Sequence, residues 1–263
     1  MRCILRLILF LSSGVFLYSC QNGKEDPVVI VTTDPEFQVD LFEQRSAADG
    51  SPTFGLWIRS IEKYPCANYV LENEVQVAGA DISVHLSSVY APDTCTGTPA
   101  VAQAFVPIGN LPPGTYNLTL SLADAIENTA VLNVFENRYE LTVPHPQGVD
   151  FQNLVVNKMP ENLVWGYILT PDAAATERAG AFLADLKSIT AEPTLPAGYY
   201  SYFSISGTGL ISLHAGFAPA STVQVFVRRF ASAPVDVQNL LQQYRSGPQN
   251  ALQIGCLTTL GAF

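Results

Sequence analysis

The chain has 263 residues, 23 of them acidic against 13 basic, for a formal net charge of −10. That balance argues against nucleic acid as a partner, because nucleic-acid affinity comes largely from cationic contacts to phosphate. The length accommodates one or two domains.

An export leader opens the chain. Arg2 and Arg6 form a positive start, and Leu7 to Tyr18 is apolar but too short to span a bilayer. Leu17-Tyr18-Ser19-Cys20 then reads as a processing site. This tetrapeptide resembles the bacterial lipobox, which implies a signal peptide over 1–19 and a diacylglycerol on the thiol of Cys20. Loss of Arg2 and Arg6 with the leader makes the mature chain more acidic still, so the lipid, not charge, would hold it to a membrane. Stable anchoring takes two or three acyl chains. The tether at 20–26 contains Gln21-Asn22-Gly23-Lys24-Glu25-Asp26. It resembles the surface-export signal of Bacteroidetes lipoproteins, and it also reads as a plain polar spacer. The resemblance implies lipid anchoring at the outer membrane or cell surface.

Residues 27–143 read as strands. Pro27 to Val31 opens the series, followed by Thr53 to Ile58, Ile82 to Ser87, Tyr116 to Leu120, Ala130 to Val134 and Tyr139 to Val143. Ile82-Ser83-Val84-His85-Leu86-Ser87 alternates apolar and polar residues as a half-buried strand does. Short strands at this spacing, with no helical stretch, predict a β-sandwich. The run Leu111-Pro112-Pro113-Gly114-Thr115-Tyr116 resembles the Pro-Gly-x-Tyr corner of Ig-like bacterial domains, which implies an Ig-like sandwich. Cys66 and Cys95 both sit beside turn residues. In an oxidising envelope they are the natural disulfide pair, since Cys3 leaves with the leader and Cys20 carries lipid. Cys256 remains as a buried small apolar residue.

After a Pro-rich linker at 144–150, residues 151–263 alternate strand and helix. Leu163 to Leu169 is a strand. Pro171 and Asp172 start a helix with an apolar stripe of Ala175, Ala179, Phe182, Leu183, Leu186 and Ile189. Gly198 to Ile205 reads as an aromatic strand, with a possible hairpin partner at 210–217. Thr222 to Phe230 is a further strand, and Pro234 opens a helix with Val237, Leu240, Leu241 and Tyr244 on one face. Ala251 to Thr258 closes the chain. The order β-α-β-β-α-β predicts a ferredoxin-like α+β domain. The expected fold class is thus mixed, an N-terminal Ig-like β-sandwich followed by a ferredoxin-like domain.

No arrangement for catalysis stands out. His85 falls on a polar strand face, His145 in the linker, and His214 at a strand end; none has zinc-site spacing, and no Cys/His cluster points to a metal. No nucleophile elbow or phosphate loop occurs. No cofactor, metal or catalytic residue is therefore expected. Glu72 and Glu74 share one side of a strand, a pattern that serves glycoside hydrolysis or calcium but more commonly marks a solvated face. The strongest binding signal is the aromatic strand. Tyr200 and Tyr202 would share one sheet face, with Arg228 or Arg229 on a neighbouring strand to orient a polar group. That face is either open for a glycan or another envelope protein, or packed on the sandwich as an interdomain core. The expected function is a lipid-anchored envelope binding module. A carbohydrate-processing enzyme using first-domain carboxylates and a structural subunit of an envelope complex are the alternatives.

Overall fold

Period-two burial along the first half of the chain builds two sheets that face each other. The computed structural model describes residues 34–123, 125–214, 217, 222–246 and 251–262. The leader, Cys20, the tether and the expected strand Pro27 to Val31 lie outside the described residues. Ten strands of the described chain build the sandwich: β1 (Phe37–Arg45), β2 (Pro52–Tyr64), β3 (Val70–Ala78), β4 (Asp81–Tyr90), β5 (Ala100–Gly109), β6 (Gly114–Leu122), β7 (Ile126–Val134), β8 (Arg138–Thr142), β9 (Val149–Phe151) and β10 (Val155–Asn157). They form a four-stranded sheet of order β5-β2-β1-β9 and a six-stranded sheet of order β10-β8-β7-β6-β4-β3. Ile82, Val84 and Leu86 of β4 and Leu118 and Leu120 of β6 point inward, against Val39 and Leu41 of β1 and Leu56 and Ile58 of β2. This is a β-sandwich core.

The expected linker at 144–150 is not a boundary. Val149–Phe151 pairs parallel with β1, and Val155–Asn157 pairs antiparallel with β8. The chain therefore returns to add one edge strand to each sandwich sheet before leaving. β1 itself, absent from the expected strand series, sits between β2 and β9. Phe37-Gln38-Val39-Asp40-Leu41 alternates as a half-buried strand does, a signal sequence reasoning passed over; the pattern breaks only at Phe42 and Glu43, where both faces are covered.

The second half carries β11 (Leu163–Leu169), α1 (Ala173–Ile189), β12 (Thr190–Ala191), β13 (Gly198–Tyr199), β14 (Phe203–Ile205), β15 (Ile211–Leu213), β16 (Val223–Phe230), α2 (Pro234–Arg245), β17 (Ile254–Thr258) and β18 (Gly261–Ala262). One sheet has the order β12-β16-β11-β17-β18 and every pairing in it is antiparallel. Asp172 caps α1 by accepting a hydrogen bond from Ala175 N at 2.7 Å, and Pro234 opens α2. The expected stripes are the buried ones: Ala179, Phe182 and Leu186 of α1 and Val237, Leu241 and Tyr244 of α2 pack on Val164, Ile168 and Phe226. The protein is β-rich and mixed, with several sheets and two helices among the described residues. None of these helices is long and apolar enough to cross a membrane.

The expected single strand Gly198 to Ile205 is instead a hairpin. Gly198 pairs with Ile205 and Tyr199 with Ser204, while Tyr200 N donates to Phe203 O at 2.8 Å to close the turn. β15 then pairs with β14, giving a small three-stranded sheet. This hairpin fills the space between the two larger layers. A third core joins Phe42 of β1, Leu163 and Trp165 of β11 and Val227 of β16 to Tyr200, Tyr202 and Phe203. Thr33–Phe263 consequently forms one compact unit instead of two separable domains. Gly50, at φ +72°, marks a second seam: a Cβ there would lie 2.0 Å from Thr259 O.

Candidate functional site

Strand alternation decides what the four-stranded sheet presents on its outer face. Val39 and Leu41 enter the sandwich core, so Asp40 and Phe42 point the other way; Leu56 and Ile58 do the same for Trp57 and Arg59. Gln103 and Phe105 of β5 continue this face, register-paired with Arg59 and Trp57. The bare backbone of Gly55 lets the Phe105 ring lie close, since a Cβ there would meet that ring at 2.7 Å. Opposite stands the hairpin, with Tyr199, Ser201, Leu213, His214 and Phe217. Between the two lies a cavity of about 520 Å³ that Gln152 and Asn153, just after β9, also line.

The cavity wall is polar at one side and aromatic at the other. Asp40 is buried and bound twice: Arg59 Nη2 donates to one oxygen at 3.1 Å and Asn153 Nδ2 to the other at 2.6 Å. The His214 ring stacks on Tyr199 with centroids 4.1 Å apart and planes 10° from parallel. His214 Nδ1 lies 3.0 Å from Ser201 O. A carbonyl only accepts, so Nδ1 carries the hydrogen and Nε2 holds a lone pair. Burial lowers the His214 pKa, against the opposing pull of the Ser201 carbonyl and Asp40. Burial beside Asp40 pushes the Tyr199 hydroxyl up. His214 Nε2 and Arg59 Nε are shielded from solvent, and so from the cavity space, and meet no hydrogen-bonding group among the described residues. Phe42, Trp57 and Phe217 form the aromatic side; Phe42 and Phe217 stack at 5.9 Å.

The sequence candidates fall elsewhere, with one exception. Tyr200 and Tyr202 are core, 1 % and 6 % exposed, and do not form an open stacking face. Tyr200 donates its hydroxyl to Pro196 O at 3.0 Å, and burial pushes its pKa up to about 12. Tyr202 accepts from Arg45 N at 2.9 Å. Arg228 grips the sheet edge: Nε donates to Thr190 Oγ1 at 3.0 Å, Nη2 to Thr190 O at 3.2 Å, and Nη1 pairs with Glu192. Arg229 is exposed, and neither arginine lines the cavity. Glu72 and Glu74 are exposed on β3 and share its outward side, the register shift there falling at Ser87 of β4. Glu72 accepts from Ser88 Oγ at 2.6 Å. His85 is half-buried and His145 exposed; only His214 lines the cavity. Among the described residues no group of three His, Cys, Asp or Glu side chains is placed to hold a metal.

Cys66 and Cys95 are bonded, with Cα atoms 5.5 Å apart. Cys256 is a free thiol that burial pushes up to about 12.

Sequence reasoning missed the hairpin turn, and it also missed a repeat that marks the corner leading into the hairpin. Leu111-Pro112-Pro113-Gly114-Thr115-Tyr116 recurs as Leu195-Pro196-Ala197-Gly198-Tyr199-Tyr200. Both copies make the same bond: Tyr116 Oη donates to Pro112 O at 2.9 Å, as Tyr200 does to Pro196. The repeat marks a corner that brings the chain into a strand, and in the second copy that strand is only two residues long.

Comparison with protein-family models, with curated proteins and with solved structures returned no match to this chain.

Proposed function

We propose that the protein is a lipid-anchored envelope protein, held at the outer membrane or cell surface through Cys20, that binds a small polar ligand in the cavity under the β13–β15 hairpin. One observation carries the binding half of this reading: a cavity of about 520 Å³ between the hairpin and the outer sheet face, lined by Asp40, Arg59, Gln103 and His214 together with Trp57 and Phe217, within the size range of small-molecule sites, about 300–1,000 Å³. The Met1–Cys20 leader supports the anchor, and the acidic chain argues against nucleic acid. The reading is of a binder and not an enzyme: the hydrogen bond of His214 within the protein is to a backbone carbonyl, not to a hydroxyl or thiol nucleophile.

The architecture fits the finer fold reading. The order β12-β16-β11-β17, with α1 and α2 on one face, is the strand order of a ferredoxin-like sheet whose second strand has shrunk to two residues. The Tyr116–Pro112 corner supports an Ig-like sandwich. On this reading the sandwich is not a spacer but contributes half of the site, through Asp40, Trp57 and Arg59.

Two measurements test the proposal. Mass spectrometry of the membrane-extracted protein should give an acylated N-terminal Cys20, and Cys20→Ser should release the chain; an unmodified N-terminus at another residue ends the anchor reading. Ligand-observed NMR with a mixture of sugars, amino acids and dipeptides should yield binders whose signals respond to Trp57→Ala and Gln103→Ala. If every binder is indifferent to both, the cavity is not the site.

A further inference from the structure

We propose that His214 is an acid-sensitive latch: charging its ring frees the Ser201-Tyr202 turn from β1 and loosens the hairpin that walls the cavity. This goes beyond the binding reading and holds whatever the cavity takes.

Ser201 and Tyr202 are gripped from two sides. From β1, Glu43 N donates to Ser201 Oγ at 2.6 Å and Arg45 N to the Tyr202 hydroxyl at 2.9 Å. From the end of β15, His214 donates to the same two residues, Nδ1 to Ser201 O at 3.0 Å and N to Tyr202 O at 3.1 Å. His214 therefore fixes the turn in the position from which it meets β1. Its ring is itself stacked flat on Tyr199. The turn covers an aromatic core, since Tyr202 lies against Phe42 and Trp165 with centroids 5.2 Å and 5.1 Å away.

This seat suits the neutral ring. Nδ1 already carries the hydrogen, so a second proton goes to Nε2, which is shielded from solvent and meets no acceptor among the described residues. A buried charge with an unmet N–H is costly, and the ring is relieved by reaching water. The neighbours do not rescue it in place. Asp40 of β1 is the anion that faces the ring, but its oxygens accept from Arg59 of β2 and from Asn153, and Arg59 brings a positive charge to the same wall. Burial keeps Tyr199 of β13 neutral. Gln103 of β5 and Gln152 carry no charge. Burial lowers the ring's pKa from 6.5, against the pull of the Ser201 carbonyl and Asp40. The grip is therefore full above 6.5 and weakens as pH falls through the folded pKa. Glu43, whose N–H forms part of the other grip, works in the opposite sense, because burial raises its carboxyl. A grip lost in acid is thus not the work of Glu43.

The test is amide hydrogen exchange of the full chain in detergent, read residue by residue by NMR and corrected for intrinsic exchange. The amides of Glu43 and Arg45 report on the latch, because their acceptors belong to the turn. Their protection should fall about tenfold or more between pH 7 and about pH 5, in step with the titration of the imidazole. The amides of Leu118 and Leu120, in the sandwich core, should keep theirs. His214→Asn retains a donor near the Nδ1 position and removes the titrating nitrogen, so its Glu43 and Arg45 amides should not respond to acid. Should that variant fail to fold, wild type decides, by whether the loss of protection and the imidazole share one midpoint. Three results overturn the proposal: protection that stays constant while the ring titrates, a loss as large in His214→Asn as in wild type, or a loss that Leu118 and Leu120 share.

Discussion

The backbone N–H of Glu43 donates to Ser201 Oγ at 2.6 Å, across 158 residues of chain. Two residues on, Arg45 N donates to the Tyr202 hydroxyl at 2.9 Å. The end of β1 is thus paired with the turn of the hairpin through side-chain oxygens, where another strand's carbonyls would ordinarily stand. Both acceptors are buried, so these bonds form away from water and their loss leaves backbone donors unmet.

Ser201→Ala and Tyr202→Phe should each cost about 1–3 kcal/mol, the penalty for a buried donor left without an acceptor. Tyr202→Ala should cost about 3–5 kcal/mol, because it also empties the space against Phe42, Trp165 and Phe217. Guanidinium unfolding checks all three. A Tyr202→Ala variant as stable as wild type would return this residue to a surface role.

Glu43 itself is 1 % exposed and accepts from Arg45 Nε at 3.1 Å, Met159 N at 3.2 Å and Tyr139 Oη at 3.3 Å. Burial raises its pKa, the largest of the influences on it. Glu43→Ala should cost about 3–5 kcal/mol at neutral pH by leaving the Arg45 guanidinium buried without its carboxylate. The pH dependence has a definite sign. A raised folded pKa gives stability that is full below the ordinary value of 4.5 and is lost as pH rises through the folded pKa. The stability of wild type relative to Glu43→Gln should therefore fall as pH rises above 4.5; a rise would contradict the assignment.

His214 has the opposite dependence. Its pKa is depressed below 6.5, so its contribution is full above that value and declines as pH falls through the folded pKa. The groups around it are Asp40 on β1, Arg59 on β2 and Tyr199 on β13. NMR titration of the imidazole should give a midpoint below 6.5. A midpoint above 6.5 would contradict burial as the dominant influence on the ring.

Reduction of the Cys66–Cys95 bond, or the double substitution Cys66→Ser/Cys95→Ser, should lower stability by about 3–4 kcal/mol in the chain-entropy view of a loop this long. Cys256 should resist alkylation in the folded protein and react on unfolding, because desolvation holds the thiol protonated. Rapid labelling of native Cys256 at pH 8 would refute that.

The sequence alone determined the elements whose two faces differ. Leu163–Leu169, the stripes of α1 and α2, and the inward rows of β4 and β6 were legible because one face meets core and the other does not, which leaves a period in the residues. The cysteine pair was legible because compartment and turn chemistry left few partners. What only the tertiary structure decided lies where both faces are covered. In Phe37–Arg45, Asp40 and Phe42 are buried by the hairpin and Val39 and Leu41 by the sandwich, so the alternation of Phe37 to Leu41 breaks at Phe42 and Glu43 and says nothing of the second covered face. Tyr199 to Phe203 contains no glycine, proline, asparagine or aspartate to announce a turn; the reversal there is held by Ser201 and Tyr202 bonding to β1. The same holds for the cavity. Asp40, Arg59 and His214 are distant in sequence, and only the packing of the hairpin against the outer sheet face brings them to one wall.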